Sequence, residues 1–570
     1  MSLTVPPSHA LLPRSSAGAS RDSRPISALN VLGCLGLIGL CVWFYTRNND
    51  FPIEFHTDEA GKVEQILSPT GQRNFRHPQL LLESTQLATA WLGTRRQPDE
   101  VVLVGRWVSA AFATGAVVAL AMAGYRIAGG WGFILVGLSV ALCPSLVYYS
   151  HVMKEDTALT LGLCVTLAAI RWLLDAQRPA SRLAAVAGVG AACALAASGK
   201  YHGLIALALA LPLVLAVRPL RWWSPFVRLA VLLTAFALVW AAINYRALAD
   251  WTAFRSGFDF ERNHSASSHN GLVLQRPAAF FTVELLRMTL PHVLALAGGF
   301  VVLSLLRWRR GGLWEIAAIG MPLIYMASLA TTVLFFHRYL LPAVVLVHFL
   351  AALALLAGAR AVAARWRRGW IAAPILAVAV LALQLPACLI AAEQVREDGR
   401  YKLREWIAAN VRPGTLIAAD DYAGLRTSPQ QVSMPRRDRT AAAVQSRRFA
   451  PDVGDLPSLR RMGYQYAVVC ELTYFRYFDP RIAPIPRFAG TYQRHRDWYA
   501  ALEAECELVW QSVPRRPTFS TTDPAIKVYR IAPATQIPAG QPSTVEEPSV
   551  TGSASRGAAA PTRASRPQRR

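Results

Sequence analysis

Charged residues are scarce in this sequence. Asp, Glu, Lys and Arg make up 16% of its 570 residues, whereas soluble domains carry about a quarter. Hydrophobic residues make up 53%, and apolar runs of about 20 residues, long enough to cross a bilayer, recur from Ile26 to Ala392. An ordinary soluble globular protein and a disordered protein are therefore excluded.

Cysteine is also rare, and the sequence lacks the motifs of nucleotide and zinc binding. Six of the eight cysteines fall in apolar runs, which excludes a disulfide-stapled small domain: Cys34, Cys41, Cys143, Cys164, Cys193 and Cys388. Cys470 and Cys506 lie in a later polar segment, where a disulfide and two free thiols are both open. There is no Walker A motif, no dinucleotide-binding glycine motif and no Cys/His spacing typical of a zinc site.

The apolar runs predict eleven membrane spans. They are 26–45, 101–125, 131–150, 157–175, 183–198, 201–217, 225–244, 285–306, 313–335, 338–358 and 370–392. Arginines crowd every second loop, whereas the other short loops hold one basic residue each, namely Lys154, Lys200 and Arg338. By the positive-inside rule, we expect a cytoplasmic N-terminus and an extracytoplasmic C-terminal segment in the plasma (inner) membrane. The first run lacks a cleavage site and is expected to remain as an anchor.

The sequence predicts a mainly α, multi-pass transmembrane helical bundle with a small extracytoplasmic C-terminal α/β domain. Residues 1–25 are expected to be a disordered cytoplasmic N-terminus, and residues 26–395 the transmembrane module with an external loop at 46–100. Residues 396–532 are expected to form the α/β domain, and residues 533–570 a disordered basic tail.

Local patterns predict the elements outside the spans. Helices are expected at Asp58–Leu67, Pro78–Gly93 and Tyr401–Asn410, and the segment 245–277, rich in Ser, Asn and His, is expected to be a loop. Strands are expected in the C-terminal domain at Leu416–Ala419, Tyr466–Val469, Leu508–Trp510 and Ile526–Ile531.

Ionisable side chains gather near the predicted outer ends of the spans, although such groups are costly in a membrane and usually functional there. They are Asp58-Glu59 after span one, His77 in the first external loop, Arg106 in span two, Lys154-Glu155-Asp156 between spans three and four, Lys200 between spans five and six, and His337-Arg338-Tyr339 between spans nine and ten. Their shared side of the membrane favours a common site.

Each cluster taken singly also has a structural interpretation. Asp58 and Asp156 could be first-turn acids that complement a helix dipole. Lys200 and Arg338 could extend to lipid headgroups, and His77 could simply mark a turn before a proline. Only the joint placement of the clusters on one face favours function over these interpretations.

Carboxylates and cations at an outer membrane face suit one class of reaction. An enzyme outside the cytoplasm has no supply of nucleotide sugars or ATP, so its activated donors are sugars linked to a polyprenyl phosphate. Transfer to a hydroxyl needs one carboxylate to take the acceptor proton and cations to stabilise the departing phosphate. Glycosidases, by contrast, use two carboxylates.

In order along the chain, these residues resemble a known family. The resemblance rests on Asp58-Glu59, His77-Pro78, Lys154-Glu155-Asp156, Gly199-Lys200-Tyr201, Arg338-Tyr339-Leu340-Leu341-Pro342 and the segment Arg400…Trp406-Ile407…Asn410…Pro413-Gly414-Thr415. Over about residues 26–530 the chain resembles bacterial lipid-carrier-dependent glycosyltransferases of the GT-C fold. That group includes protein O-mannosyltransferases (glycosyltransferase family 39), the aminoarabinose transferase acting on lipid A and the galacturonosyltransferases acting on lipopolysaccharide.

The resemblance implies catalytic roles for the acidic residues. Asp58 matches the aspartate proposed as general base, and Glu59 is its usual neighbour. Asp156 matches a second external acid, although Glu155 is an alternative for that position. The family generally works without a metal, so no cofactor is expected, although Asp58 and Asp156 could ligate a divalent ion.

The resemblance also implies a binding role for the basic residues. Lys200 and Arg338 match positions that hold the lipid phosphate, and Tyr339 would line the same cavity. Supporting roles are expected for Lys154, Glu155, His77, Arg106 and His337.

A transporter or lipid flippase is the main alternative, and a membrane scaffold presenting the outer domain is a third. Transporters place polar residues near the bilayer midplane, often in two related halves, whereas His348 is the clearest polar residue at a span centre here. We therefore expect an enzyme whose partners are a polyprenyl-phosphate-sugar donor, an acceptor lipid, glycan or protein, and membrane lipids, but no nucleic acid.

Overall fold

The computed structural model describes nine stretches of the chain. They are residues 28–68, 70–94, 97–217, 224–268, 271–306, 312–366, 371–425, 443–514 and 523–531. The expected N-terminal segment 1–25 and basic tail 533–570 lie outside the described residues. The described residues belong to one compact unit, Met1–Ile531, which includes both the apolar helices and the segment 396–531.

The described residues before residue 396 are mostly helical. Its helices are α1 (Ala28–Thr46), α2 (Thr57–Leu67), α3 (Leu80–Trp91), α4 (Pro98–Ala141), α5 (Pro144–Ser150), α6 (Glu155–Asp175), α7 (Pro179–Gly199), α8 (Ile205–Ala216), α9 (Ser224–Ile243), α10 (Tyr245–Ala249), α11 (Trp251–Ser267), α12 (Pro277–Met288), α13 (Pro291–Leu306), α14 (Leu313–Leu329), α15 (Leu341–Arg365) and α16 (Ala372–Gln394). Most of the span that contains α15 is buried, whereas α9 is largely exposed, so α15 is central and α9 is peripheral.

Six of the described helices are long and apolar enough to cross a membrane: α4, α6, α7, α9 and the stretches His337–Arg365 and Ala372–Asn410. A seventh span is counted if α12 and α13, bent by 116°, form one crossing. These helices place the protein in a membrane. The count of eleven spans is not confirmed.

The eleven predicted spans nevertheless coincide with apolar helices. The 44-residue α4 bends at Ala128 and Gly129, where the φ of Gly129 is 64°. Its first arm matches the prediction 101–125, whereas the prediction 131–150 covers the second arm and α5. The predictions at 26–45, 201–217 and 313–335 fall on shorter apolar helical stretches, Val31–Thr46, Tyr201–Ala216 and Leu313–Leu329. The difference from eleven therefore lies in which helices are long enough to cross, and the number of crossings stays a prediction.

Glycines bring α6 and α7 into close contact. A Cβ atom on Gly162 would lie 2.2 Å from Ala196 Cα, and one on Gly199 would lie 2.5 Å from Leu159 N. Because only glycine permits this approach, the end of α7 packs against the first turns of α6. The contact brings the residue after α7, Lys200, to the helix start that carries the second acidic cluster.

The expected polar loop 245–277 is instead mostly helical, being formed by α10, α11 and a short strand, β1 (Leu272–Leu274). Its aromatic residues recur at helical spacing, and rings of α11 pack against Tyr201, whose centroid lies 5.1 Å from that of Phe258. The Ser, Asn and His content suggested a loop, but the packing of these rings stabilises a helix.

The segment after residue 396 combines helices with a five-stranded sheet. Its helices are α17 (Gly399–Asn410), α18 (Leu456–Arg461), α19 (Glu471–Tyr474) and α20 (Ala489–Glu505), and its strands are β2 (Leu416–Asp420), β3 (Ala443–Arg447), β4 (Tyr464–Cys470), β5 (Ile482–Pro484), β6 (Glu507–Ser512) and β7 (Ile526–Arg530). The sheet order is β3-β2-β4-β7-β6, with β2 parallel to β3 and β4, and β7 antiparallel to β4 and β6. The four predicted strands correspond to β2, β4, β6 and β7.

Two features join this segment to the membrane helices. The strand β5 pairs antiparallel with β1, with Leu272 opposite Pro484 and Leu274 opposite Ile482. The carboxyl ends of the parallel strands β2 and β4 lead into residues that line a large cavity, among them Tyr422 and Glu471. Both Cys470 and Cys506 are free thiols in the structure.

Candidate functional site

Asp58 lies in the first turn of α2 and contacts two cations. The N-cap of this helix is His56, whose Nδ1 accepts a hydrogen bond from the Asp58 backbone N–H at 3.4 Å. The Asp58 carboxylate lies 2.7 Å from Lys154 Nζ and 3.5 Å from an Arg338 terminal nitrogen. Its side chain is 38% exposed, so it is both paired and accessible.

Electrostatics around Asp58 favour its ionised form. Partial burial raises the pKa of the Asp58 carboxyl, but the positive charges of Lys154 and Arg338 outweigh this effect and hold that pKa well below its usual range. For the Lys154 ammonium, burial has the opposite effect and lowers the pKa. The negative charge of Asp58 outweighs burial and raises the pKa of Lys154 above its usual value. The pair is therefore charged at neutral pH.

Asp156 lies in the first turn of α6 and is 1% exposed. Its carboxylate accepts a hydrogen bond from Lys200 Nζ at 2.8 Å, and its second oxygen lies 3.9 Å from Arg338 Nε. Arg338 thus lies between the two carboxylates of Asp58 and Asp156. Lys200 Nζ also lies 3.8 Å from the centre of the Tyr339 ring.

The structure thus brings together the residues that the sequence argument placed at one face. Asp58, Asp156, Lys200 and Arg338 form one connected network of charges, although they come from four separate segments of the chain. Sequence separation is 280 residues at the extremes of this network, from position 58 to position 338. Together these four residues are termed the charge network.

Glu59 has a different environment from its neighbour. It is fully buried and pairs through both oxygens with Arg106, and it also accepts a hydrogen bond from the Met153 backbone N–H at 2.7 Å. Arg106 in turn donates to the carbonyl oxygens of Asn49 and Phe51 at 2.7 and 2.6 Å. This placement differs from the catalytic role expected of Glu59, because both of its oxygens already bind protein donors.

Glu155 and Asp156, the alternatives for the second acid, point to different partners. Glu155 pairs with Lys62, and its other oxygen lies 3.6 Å from Lys154. Asp156 is therefore the acid that contacts the two expected phosphate-binding cations, Lys200 and Arg338. Lys62 was not predicted as a site residue, since in the sequence a lysine in the middle of an amphipathic helix resembles any exposed lysine.

The two supporting histidines lie outside the charge network. His337 Nε2 lies 3.2 Å from Glu284, a residue of α12 that also contacts Arg481 at 3.0 Å. His77 lines a cavity of about 370 Å³ together with Lys200. Burial lowers the pKa of His77 below its usual value, so this imidazole is neutral at pH 7. Glu284, the partner of His337, was not predicted as a site residue, because it lies within an apolar run.

The larger cavity has a volume of about 770 Å³, and Arg338 of the charge network is one of its lining residues. Its walls are largely apolar and carry four arginines and two acids: Pro144, Tyr149, Glu284, Arg287, Met288, Thr289, Leu290, Pro291, Phe335, Phe336, His337, Arg338, Ala387, Tyr422, Glu471, Leu472, Phe475, Arg476 and Arg481. Membrane helices supply one wall and the C-terminal segment supplies the other. A cavity of this kind fits an amphiphile with an anionic head.

A metal ion does not fit the charge network well. Asp58 and Asp156, the two carboxylates that could ligate one, are each already paired with a cation. Among the residues that the structure describes, no group of three or more His, Cys, Asp or Glu side chains could hold a metal ion.

Comparisons with known proteins give similarities in structure alone. No family model and no curated protein matches the chain. ArnT from Cupriavidus metallidurans, solved with undecaprenyl phosphate, matches 90% of this chain and 99% of its own, with a TM-score of 0.49 and 16% identity. The Archaeoglobus fulgidus oligosaccharyltransferase matches 79% of this chain and 71% of its own, with a TM-score of 0.45 and 13% identity.

A more partial similarity links the chain to the S. cerevisiae protein O-mannosyltransferase Pmt1-Pmt2 complex, solved with its sugar donor. It covers 40% of this chain and 35% of that one, with a TM-score of 0.34 and 14% identity. All three are polyprenyl-phosphate-dependent glycosyltransferases of the GT-C fold, the fold that the sequence predicts. Because the TM-scores are below 0.5, the function of this chain is inferred from its own residues.

Proposed function

We propose that this protein is a membrane glycosyltransferase. It transfers a sugar from a polyprenyl-phosphate-linked donor to a hydroxyl of an acceptor lipid, glycan or protein, with inversion at the anomeric carbon. The observation that carries the proposal is the charge network: a partly exposed carboxylate, Asp58, shares Arg338 with the buried Asp156, beside a cavity with apolar and basic walls.

The larger cavity supports a lipid-phosphate donor. Its lining residues Met288 of α12, Leu290 between α12 and α13, and Ala387 of α16 suit a hydrocarbon chain. Arg338 and Arg476 lie in the same cavity and suit an oxyanion. A polyprenyl phosphate combines these two chemistries in one molecule.

The proposed chemistry is a single displacement. The acceptor oxygen attacks the anomeric carbon while Asp58 takes its proton, and the bond between that carbon and the phosphate oxygen breaks with its electron pair moving onto the phosphate. Lys200 and Arg338 stabilise the charge that develops there. The phosphate leaves as an anion, so the reaction needs one base and no general acid.

Donor binding would also activate the base. Lys154 and Arg338 lie against Asp58 and hold its pKa low, which makes the carboxylate a weak base. A bound phosphate competes for Arg338, which weakens this pairing and raises the basicity of Asp58. The base is then strongest when the donor is in place.

The membrane orientation is part of the proposal. With the N-terminus in the cytoplasm, the charge network and the C-terminal segment lie at the extracytoplasmic face of the plasma (inner) membrane. Lipid-linked sugars are the activated donors available on that side. The expectation depends on the arginine-rich alternate loops, some of which lie outside the described residues.

The test compares sugar transfer by three proteins in membranes: wild type, Asp58→Asn and, as a matched control, Glu64→Gln, which changes an exposed acid of the same helix. Transfer of labelled sugar from polyprenyl-phosphate donors should fall by about 10²–10⁴-fold in Asp58→Asn and stay unchanged in Glu64→Gln. Equal transfer by all three proteins would contradict the assignment of Asp58. Lipid or solute movement that survives Asp58→Asn, without any transfer, would support a flippase or transporter instead.

A further inference from the structure

Arg476 is a buried cation without an acidic partner. It follows α19 in a single helical turn and is 3% exposed. Its Nε donates a hydrogen bond to the Leu472 carbonyl oxygen at 3.0 Å. In the part of the chain that the structure describes, this is its one hydrogen bond, and no carboxylate lies within 4 Å of it.

Among the described residues, most other buried arginines pair with a carboxylate, whereas the buried Arg228 donates to the carbonyl oxygens of Val214 and Val217. Arg106 pairs with Glu59, and Arg400 makes two hydrogen bonds to Asp398. Around Arg476 there are aromatic rings instead: its guanidinium carbon lies 5.2 Å from the centre of Phe335, 5.6 Å from Tyr422 and 6.0 Å from Phe449. Cation–π contacts of this kind recover only part of the cost of removing a guanidinium from water.

The free end of Arg476 belongs to the larger cavity. The side chain lines that cavity, and its two terminal nitrogens make no hydrogen bond with any described residue. Two other arginines of the cavity are occupied, since Arg481 pairs with Asp479 and Glu284, and Arg287 also pairs with Glu284. The two terminal nitrogens of Arg476 are therefore available as hydrogen-bond donors in the cavity. Two such donors on one guanidinium can bind an oxyanion in a bidentate manner.

Arg338 lines the same cavity as Arg476, and the two arginines contact neighbouring aromatic rings. Phe335 and Phe336 stack with their centres 5.7 Å apart, Arg476 lies against Phe335, and Arg338 lies 4.1 Å from the centre of Phe336. One guanidinium comes from the C-terminal segment and the other from the start of the α15 span. The stacked rings thus fix two cations at one wall of the cavity.

We infer that Arg476 is an anion-binding residue that receives an oxyanion of the ligand in the larger cavity. The inference rests on the proposed donor and deepens it, because it gives the C-terminal segment a direct part in donor binding. Two sources can supply the oxyanion: the phosphate of the lipid carrier and a carboxylate on the transferred sugar.

The experiment uses the full-length protein in detergent and three variants. Arg476→Gln removes the charge, Arg476→Lys keeps the charge but loses the planar pair of donors, and Arg494→Gln is a matched control at an exposed arginine of the same segment. The readout is the protection against thermal unfolding that each added ligand gives. The ligands are inorganic phosphate, a short polyprenyl phosphate, the matching polyprenol, and polyprenyl-phosphate donors carrying a neutral sugar or a uronic acid.

If the lipid phosphate is the source, Arg476→Gln should weaken binding of polyprenyl phosphate about tenfold or more, Arg476→Lys should weaken it less, and Arg494→Gln should match wild type. The uncharged polyprenol should bind all four proteins equally. If a sugar carboxylate is the source, Arg476→Gln should leave polyprenyl phosphate unaffected and weaken only the uronic acid donor.

A second readout separates this role from a structural one. Since a buried unpaired charge destabilises the protein that carries it, ligand-free Arg476→Gln should melt at the same temperature as wild type or higher. A lower melting temperature together with unchanged binding of every anion would overturn the inference, as would a wild-type protein that no anion protects. If wild type rejects polyprenyl phosphate but inorganic phosphate protects it through Arg476, the proposed lipid donor fails and the anion site stands.

Discussion

The ammonium of Lys154 lies 2.7 Å from a carboxylate oxygen of Asp58. Asp58, the proposed base, is therefore ion-paired before the reaction begins. Its partner Lys154 lies in the loop just before α6. Since the pair links α2 to the membrane helices, Lys154 influences both where the base lies and how readily it takes a proton.

Substituting Lys154 should shift the pH dependence of transfer. Asp58 has a pKa held well below the usual aspartate value, about 3.9, so wild-type kcat/KM should not fall until the pH drops below that range. Lys154→Gln removes the largest favourable charge, raises the pKa of Asp58 and moves the acidic limb to higher pH. A pH–rate profile of both proteins checks this, and identical acidic limbs would contradict it.

The same pair contributes to stability with a definite sign. Because folding lowers the pKa of Asp58, its contribution is present above the pKa of the unfolded chain and is lost as the pH falls through the folded value. The melting temperature of wild type should therefore fall more at acidic pH than the melting temperature of Lys154→Gln. Glu64→Gln should follow wild type throughout.

The Glu59–Arg106 pair should behave as a structural element. Removing one partner leaves a buried charge alone, so Glu59→Gln is expected to cost about 3–5 kcal/mol of unfolding free energy. The double variant Glu59→Leu/Arg106→Met should recover part of that loss, because it removes both charges. Chemical unfolding in detergent measures the difference. A Glu59→Gln protein as stable as wild type but inactive would instead restore the catalytic role expected from the sequence.

Lys200 and Arg338 should matter more for the donor than for folding. Lys200→Ala and Arg338→Ala each remove a cation that contacts Asp156, and each is expected to lower kcat/KM for the donor by about 10²–10³-fold. Kinetics over a range of donor concentrations test this, with the exposed Lys402→Ala as control. Loss of the folded protein in both variants, without any selective effect on the donor, would mark these residues as structural.

Arg400 is expected to position the base from the C-terminal segment. It lies in α17, makes hydrogen bonds of 2.8 and 2.6 Å to Asp398, and donates to the Phe55 carbonyl oxygen, three residues before Asp58. The Tyr401 ring packs edge-on against Phe55 at 4.8 Å. This clamp fixes the short helical turn from which α2 begins.

Loosening that clamp should lower kcat while leaving the KM for donor nearly unchanged. Arg400→Gln is expected to reduce kcat by about 10–100-fold, because a small displacement of a base is costly. Hydrogen exchange of the amides at 53–60 should speed up in Arg400→Gln and not in Lys402→Ala, which alters the same helix. Unchanged exchange at those amides would show that the clamp does not hold the base.

The sequence allowed the charge network to be predicted because its members lie at the ends of apolar runs. Asp58, Asp156, Lys200 and Arg338 each occur where a span was expected to meet one face of the membrane, so a two-dimensional topology was enough to bring them near one another. The pairing of Arg338 with both acids could not be predicted, since it depends on the rotation of each helix.

Other features needed the three-dimensional packing. The partner of Glu155 is Lys62, 93 residues away, and the absence of an acid near Arg476 among the described residues becomes visible only once its neighbours are known. The helix α11 was expected to be a loop because its composition is polar, whereas its rings at every third or fourth position pack on Tyr201. The number of spans could not be fixed from the apolar runs, because three of them fall on described apolar helices of only 10–17 residues.

The pairing of β1 with β5 affects how the chain can be engineered. A strand from between two membrane helices completes a ribbon with the C-terminal segment, so the boundary near residue 396 is not a clean place to cut. A chimera that exchanges the C-terminal segment for that of a relative would leave Leu272–Leu274 facing a foreign edge. Such a graft should carry both strands from the same parent.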